Sequence, residues 1–374
     1  MSEGSTPADP ALDDAYLAEV RGLIGRGVGQ AGFDAPAAVS DAAIRRMVDA
    51  VGDRNPIYTD AKAASATRHG GIVAPPLWLY SWMMAGLGIE SDEAVLADGT
   101  PLFRAAPGGQ KRSRPAAPTV RDEVNAVLES RGFASPVVTD MSYTFDRYLR
   151  PGELPRFSSW IVDDIVGPKT TKIGTGFFVS LRLEVFVGDE RVASMVQRYL
   201  RVKPHAASSP AGPREPQPVP ESSEPAIASW RDVSGDAPRT RAVDTVAIGD
   251  TLPGLVVDVS PTLVIAGALA SNDFQDVHHD FLKIRERGHP TVFMNMMTIS
   301  GLVGRFVTDW AGPDCMIRSH TLKLGRPNYA GDKLRLSATV TRIEEKDGQR
   351  LVHLDFLGRN SLGKAIDGEV VVAF

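Results

Sequence analysis

The run SNDFQDVHHD, residues 271–280, sets a carboxylate, Asp273, and an imidazole, His278, four intervening residues apart. Both groups titrate near neutrality when partly buried, so together they can grip one water molecule, take a proton from it and pass a proton on. The spacing fits a short turn that aims both side chains into one cleft. By itself an Asp-x4-His pair is more often structural than chemical, so its surroundings decide the matter. Within the run, His279 is expected to point away or to support the turn, and Asp280 to cap a helix. An earlier turn, DRNPIY at Asp53 to Tyr58, has the acid but carries Tyr58 where the imidazole would stand.

The elements around the two turns follow one plan. Before the first turn, SDAAIRRMVDAVG has helical apolar spacing and a Ser–Asp start. After it comes IVAPPLWLYSWMMAGLGI, apolar almost all round, which predicts a helix wrapped by other structure. Strand-like runs follow: PVVTDMSYTF, RFSSWIVDDIV, GTGFFVSLRLEVFVG and RVASMVQRYLRV. Later in the chain, a strand pair is expected around TLPGLVVDVSPTLVIAGALA, ahead of the second turn. A helix over HPTVFMNMMTISGLVGRFVTDW comes next, starting near Thr291, and then IRSHTLKLG, KLRLSATVTRIEE, RLVHLDFLG and AIDGEVVVAF as strands. A central helix followed by antiparallel strands means a sheet wrapped round a helix, so the chain reads as an α+β protein built by internal duplication. Between the halves, the Pro/Ser/Ala/Glu-rich stretch from Pro204 cannot bury a core. The expected division is an N-terminal domain over 1–203, a linker over 204–242 and a C-terminal domain over 243–374.

Composition narrows the classes. The 374 residues are 43% hydrophobic and 23% charged, with net charge −5, as in a soluble globular protein. There is no long basic block for nucleic acid and no apolar run of membrane-spanning length, so neither is an expected partner, and the chain reads as cytosolic. Cys315 stands alone, which excludes an intramolecular disulfide and a cysteine-built metal site. No His–carboxylate cluster has metal spacing, and no metal is expected. The Gly-rich phrases GTGFF and APGGQKRSR follow no βαβ pattern, and KRSR at Lys111 to Arg114 reads as a solvated loop before a contact for phosphates. His320 and His353 sit in strand patterns as ordinary surface or core residues. Met294, Met296 and Met297 read first as core packing and second as a flexible wall for an apolar ligand.

The two turns resemble the Gly-Asp-x-Asn-Pro-(Ile/Leu)-His signature of the MaoC-like (R)-specific enoyl-CoA hydratases, which have the hot-dog fold. The first copy matches through Gly52, Asp53, Asn55, Pro56 and Ile57 and departs at Tyr58. The second keeps Asp273 and His278 and departs at Gln275 and Asp276. The phrases GLVGRFVTDWAGP, LKLGRPNYAGD and GRNSLG are similar to the catalytic subunit of the actinobacterial hydratases that act on a shortened steroid side chain as a CoA thioester. GDRNPIYTD, GIVAPPLW, RYLRPGE and VGPKT resemble the N-terminal hot-dog domain of its partner subunit. The resemblance implies two hot-dog domains with the two subunits fused.

It also implies a set of roles. Asp273 and His278 would orient and deprotonate the attacking water, one of them returning the proton. The backbone N–H of Met296, next to Asn295, would stabilise the thioester oxygen as enolate charge develops, from the start of a buried helix. Met296 lies 18 residues beyond His278, and the same count from Tyr58 falls on Pro76, which has no N–H, so the first copy lacks both base and donor and is expected to widen the pocket for a bulky acyl group. Asn295, Gln275, Tyr58, Pro76 and Trp78 are the candidate substrate contacts. No cofactor beyond the CoA thioester substrate is implied. The resemblance favours a homodimer, while an OB-like domain of the partner subunit has no counterpart here, which speaks against an aldolase partner. The competing readings are a hydratase of aliphatic acyl-CoA, a thioesterase of the same fold, and a non-catalytic acyl-CoA-binding subunit.

Overall fold

The computed structural model describes residues 12–84, 86, 119–204 and 238–374. Most of the expected linker and the KRSR run lie outside the described residues. The first half begins with helix α1 (Asp14–Arg21), strand β1 (Phe33–Asp34), helix α2 (Asp41–Val51), a 3-10 turn at Pro56–Tyr58 and helix α3 (Ala61–Ser65). A 3-10 segment over Pro76–Met83 precedes helix α4 (Val120–Glu129) and strands β2 (Ser135–Phe145), β3 (Arg156–Phe157), β4 (Ile161–Thr171), β5 (Gly174–Val187) and β6 (Glu190–Pro204). The second half runs β7 (Leu255–Asp258), α5 (Pro261–Ala270), a 3-10 turn at Asp276–His278, α6 (Phe281–Glu286) and α7 (Met296–Ala311). It closes with β8 (Met316–Leu324), β9 (Lys333–Lys346), β10 (Gln349–Asn360) and β11 (Gly363–Ala373).

The strands form one antiparallel sheet in the order β1-β3-β5-β6-β2-β8-β11-β10-β9-β7, with β4 alongside β5. The halves join where β2 pairs with β8, from Asp140 opposite Lys323 to Thr144 opposite Ser319. Helix α7 is the buried centre: every residue in it except Met296 and Asp309 is buried. It packs against the 3-10 segment so closely that a Cβ on Gly301 would stand 2.4 Å from Trp78 Nε1. A Cβ on Gly267 would likewise stand 2.0 Å from Thr298 Oγ1, which brings α5 down onto the first turn of α7. Each large apolar side chain closed off in this way contributes roughly 1.5–3 kcal/mol.

Several expectations need correction. The anticipated strand pair ahead of the second turn is one short strand, β7, followed by a helix, α5. Ser260 caps that helix by accepting from Leu263 N at 3.1 Å, with Pro261 at its first position. An apolar run of this length has no periodicity to separate strand from helix, and the cap decides it. The helix expected in the first half is a 3-10 segment, Pro76–Met83. The helix expected from Thr291 starts at Met296, because Phe293 is held opposite Tyr329 by a β-bridge and Asn295 caps the first turn. Helices α1 and α4 were not anticipated. They cover the apolar face of β4 and β5 through Val20, Val124 and Leu128. No helix among the described residues is long and apolar enough to cross a membrane.

His320 sits on β8 beside the joint between the halves, fully buried and stacked between Tyr143 and Phe356 at centroid distances of 6.1 and 5.6 Å. Its ring nitrogens make no hydrogen bond, and burial lowers its pKa to about 3 against a small opposing effect of the Glu369 backbone. The unfolded chain therefore takes up a proton here near pH 6.5 that the folded chain refuses until about 3. Stability at this site falls as pH drops through that window, by about 1.4 kcal/mol per pH unit. His320→Phe keeps the ring stack and removes the titration. Urea unfolding at pH 7, 6 and 5 should show the variant losing less stability on acidification than the parent; parallel curves would refute this account.

Candidate active site

The second turn is fixed from both ends. Helix α5 closes with Asp273 N donating to Ala268 O at 2.9 Å, while Asn272 takes the left-handed conformation, φ 55°, that asparagine tolerates. Ser271 Oγ donates back to Gly267 O at 2.8 Å. After the 3-10 turn, Asp280 caps α6 by accepting from Leu282 N and Lys283 N, both at 2.9 Å. His279 donates from Nε2 to Phe274 O at 3.0 Å and so supports the turn. Asp276 faces outward to Arg287 at 2.9 Å and Lys283 at 3.8 Å. That ion pair gives an acid at the position of the signature's proline a role outside the cleft.

Asp273 and His278 meet. Asp273 Oδ2 lies 3.4 Å from His278 Nε2, and the residues are 2% and 6% exposed. The other ring nitrogen, Nδ1, is 2.8 Å from Phe293 O, which can only accept, so Nδ1 carries the proton and Nε2 presents a lone pair beside the carboxylate. Burial lowers the His278 pKa below its usual value and outweighs the opposite pull of Asp273 and the Phe293 carbonyl, so the ring is neutral at pH 7. Two hydrogen-bond acceptors side by side form a seat for a molecule with two hydrogens to give, and water is the smallest such molecule.

The carboxylate is held by Asn295. Asn295 Nδ2 donates to Asp273 Oδ2 at 3.2 Å and to Ser271 Oγ at 2.7 Å. Its Oδ1 accepts from Thr298 N at 2.9 Å and Thr298 Oγ1 at 2.6 Å, which fixes which end of the amide faces the acid. The other carboxylate oxygen accepts from Gln275 Nε2 at 3.2 Å. Because Asn295 is the N-cap of α7, the next N–H, that of Met296, is among the first of the helix and has no partner one turn earlier. Met296 lines the same cleft.

That cleft has a volume of about 460 Å³ and brings together Asp273, Gln275, His278, Asn295 and Met296, with Met294 and Met297 in its wall. Three anticipated contacts lie elsewhere. Trp78 is buried against Gly301, Tyr58 is buried in the core, and Pro76 borders a separate hollow. The sequence reading missed Tyr80, Met84, Val137, Val138 and Gln197 of the first half, and Arg326 and Asn328 beyond β8. Val137 and Val138 reach the cleft because β2 lies against β8, a pairing between distant segments that leaves no local signal.

The first turn repeats the second in its backbone. Asp53 and Asp273, like Tyr58 and His278, stand 220 residues apart. Asp53 N donates to Val48 O at 2.9 Å, and Val73 N to Ile57 O at 3.2 Å, matching Phe293 N to Val277 O at 3.3 Å. Gly52, φ 64°, takes the left-handed place of Asn272. The side chains differ. Pro75 and Pro76 stand at the positions of Asn295 and Met296, so neither a capping amide nor an N–H is present. The hollow beside them, closed by Tyr148, Leu149 and Trp82, holds about 10 Å³. Among the described residues, no group of three or more His, Cys, Asp or Glu could hold a metal ion.

The family model for a FAS1-like dehydratase domain region matches residues 27–195. The chain is 44% identical over 123 residues to the 3-oxo-4,17-pregnadiene-20-carboxyl-CoA hydratase beta subunit of Mycobacterium tuberculosis, covering 33% of this chain and 92% of that one. It is 37% identical over 173 residues to the alpha subunit of the same name from that organism, covering 46% of this chain and 47% of that one, so it spans about half the length of that relative. A solved MaoC-like dehydratase superposes with a TM-score of 0.63 at 16% identity, over 95% of this chain and 99% of the other. A Mycobacterium tuberculosis protein described as having a double hot-dog fold superposes with a TM-score of 0.53 at 14% identity, over 94% and 96%.

The first turn offers a test of its own. Burial pushes the Asp53 carboxyl up to about 7, against the Asn55 N–H that it accepts at 2.9 Å. In the unfolded chain this group ionises near its ordinary value of 3.8, so folding loses stability as pH rises from there to about 7 and stays lower above it. Asp53→Asn keeps the acceptor and the shape without the charge. Its stability gain over the parent should grow between pH 5 and pH 8, reaching on the order of 1–3 kcal/mol. Equal gains at both pH values in urea unfolding would show that the buried charge carries no such cost.

Proposed function

Because the chain belongs to the MaoC-like enoyl-CoA hydratase family and is an enzyme of that kind, we propose that it adds water across the double bond of an α,β-unsaturated acyl-CoA, giving the 3-hydroxyacyl-CoA. We infer further that the acyl group is bulky and apolar, a steroid side-chain thioester being the substrate that best fits. The observation that carries the reading is the meeting of the neutral His278 and the Asp273 carboxylate in one cleft that Met296, the first residue of α7, also lines.

In this mechanism a water donates one hydrogen to Asp273 Oδ2 and the other to His278 Nε2, which leaves an oxygen lone pair for the β-carbon. The C–O bond forms as the pair takes a proton, and electron density moves to the thioester oxygen. The Met296 N–H and the N-terminal end of α7 face that charge. The pair then returns the proton to the α-carbon, so water is added in full and nothing is oxidised or reduced. Acid–base assistance of this kind is worth roughly 10²–10⁴ in rate, and an oxyanion donor roughly 10²–10³. Asn295 acts by holding the carboxylate in line, and its loss is expected to lower turnover by about 100-fold through misplacement.

Substrate size rests on the cleft. Its 460 Å³ lies within the roughly 300–1,000 Å³ of small-molecule sites, and Tyr80, Met84, Val137, Val138 and the three methionines give it an adaptable apolar wall. The relatives named as pregnadiene-carboxyl-CoA hydratase subunits support the steroidal choice. A thioesterase would not require the Asp–His turn, and a binding subunit would not require an intact one.

The direct test follows loss of the conjugated thioester by ultraviolet absorbance, with a steroidal and a straight-chain enoyl-CoA offered side by side. The steroidal thioester should turn over with the higher kcat/KM; no hydration of either would refute the reading. Asp273→Asn and His278→Ala should each abolish turnover while thermal unfolding stays cooperative, and Tyr58→Phe should leave the chemical step nearly unchanged. Because burial lowers the His278 pKa, the acid limb of kcat/KM should fall below the ordinary imidazole range, under pH 6.5. An acid limb centred above pH 7 would contradict His278 as the neutral base.

A further inference from the structure

Beside the filled hollow of the first half lies a second opening of about 370 Å³, outside the cleft that holds Asp273. Its floor is the stacked pair His69 and Tyr148, with ring centroids 4.8 Å apart. Arg68, Arg147, Arg150 and Arg318 line it. One of these is neutralised: Arg147 is ion-paired with Glu153 at 3.0 Å and Glu190 at 2.8 Å. The lining Asp146 is spent on Arg191 at 2.9 Å.

The other three guanidinium groups have no carboxylate partner among the described residues. Each is held instead by groups without formal charge. Arg150 Nη2 donates to His69 O at 2.8 Å, and Arg68 Nη1 to Ala373 O at 3.2 Å. Arg318 donates from Nε and Nη2 to Gln349 Oε1 at 3.1 and 2.7 Å, and from Nη1 to Asp146 O at 3.1 Å and Phe145 O at 3.5 Å. The nearby Asp314 and Glu153 carboxylates accept from the backbone N–H groups of Arg68 and Arg150, at 2.6 and 2.8 Å, and so offset part of the charge without pairing any of the three side chains. Carbonyl and amide oxygens orient a guanidinium without cancelling its charge; Arg68 and Arg150 each keep several N–H donors to spare and Arg318 keeps one. The cations come from the segment after α3, the β2–β3 loop and β8, so the chain fold brings them to one mouth and neighbouring like charges repel until an anion arrives.

We propose that this cleft is a binding site for a small phosphate-bearing ligand, separate from the catalytic cleft. Guanidinium forks match phosphate oxygens in pairs, and a volume of this size holds more than a single ion. The molecule that the enzyme meets with clustered phosphates is the nucleotide end of CoA; that identity rests on the hydratase reading, whereas the anion site rests on the arginines alone. The first half has thus lost the room for an acyl group but kept a cationic mouth, and a CoA nucleotide held there would occupy the chain without reacting.

Isothermal titration of the whole chain with adenosine 3′,5′-bisphosphate and, separately, with pyrophosphate tests the site. The first probe carries a nucleoside and the second only phosphate, so the pair separates a nucleotide ligand from a simple anion. Binding should weaken by about tenfold for each arginine removed in Arg150→Gln and Arg318→Gln, the worth of one charge-assisted contact. It should also weaken as salt rises. Free CoA should bind at two sites per chain in the parent and at one in the double variant. Arg68→Gln, at an exposed residue whose side chain makes one hydrogen bond, serves where the double variant does not fold. Equal affinity and equal stoichiometry in parent and variants, or no binding by the parent, would overturn the proposal. Absent hydration with phosphate binding intact would instead count against the hydratase reading alone.

Discussion

The primary amide of Asn295 ties the fold to the chemistry. Its oxygen closes the first turn of α7 through Thr298, and its nitrogen holds the Asp273 carboxylate and Ser271. One planar group therefore sets two things that must agree: where the buried helix begins, and so where its unpaired N–H groups lie, and where the acid sits. An amide cannot turn over without putting its nitrogen against the Thr298 N–H and its oxygen against the carboxylate, two repulsions in a buried place where each unpaired polar group costs about 1–3 kcal/mol. The site is rigid because its polar atoms have only one consistent arrangement.

The rest of the molecule keeps this arrangement in place. Helix α7 is buried along nearly its whole length, and the continuous sheet lets β2 of one half bring Val137 and Val138 to the mouth of the other half's cleft. Two relatives are named as separate alpha and beta subunits, whereas here the β2–β8 pairing lies within one chain. Covalent linkage removes the entropy of association from that pairing, so two unlike halves can stay together whatever the protein concentration.

Much of the site was legible in the sequence because it is local. Asp273, His278, Asn295 and Met296 lie within one turn and one helix start, and the family resemblance supplied the offset from His278 to Met296. What was not legible depends on contacts between distant segments. Trp78 was expected as a substrate contact, but the glycine at 301 gives it a place in the core. Strand and helix were confused over residues 261–270, where a uniformly apolar segment has no periodicity and Ser260 alone marks the start. Helices α1 and α4 escaped notice because their partner is the far end of a sheet whose extent only the fold defines.

The two turns show why a duplicated site does not decay by one loss at a time. An acid beside an imidazole and a capping amide is stabilised by its partners; the same acid without them is a buried charge to be neutralised, as the raised pKa of Asp53 shows. Once Tyr58 replaces the base and Pro76 removes the N–H, an open cleft would be an unfilled cavity with nothing to bind in it. Close packing then favours filling it, with Tyr148, Leu149 and Trp82 doing so here. The retained and the filled site are thus two stable outcomes of one backbone, and the intermediate, an empty cleft with an unpaired acid, is the form that protein interiors exclude.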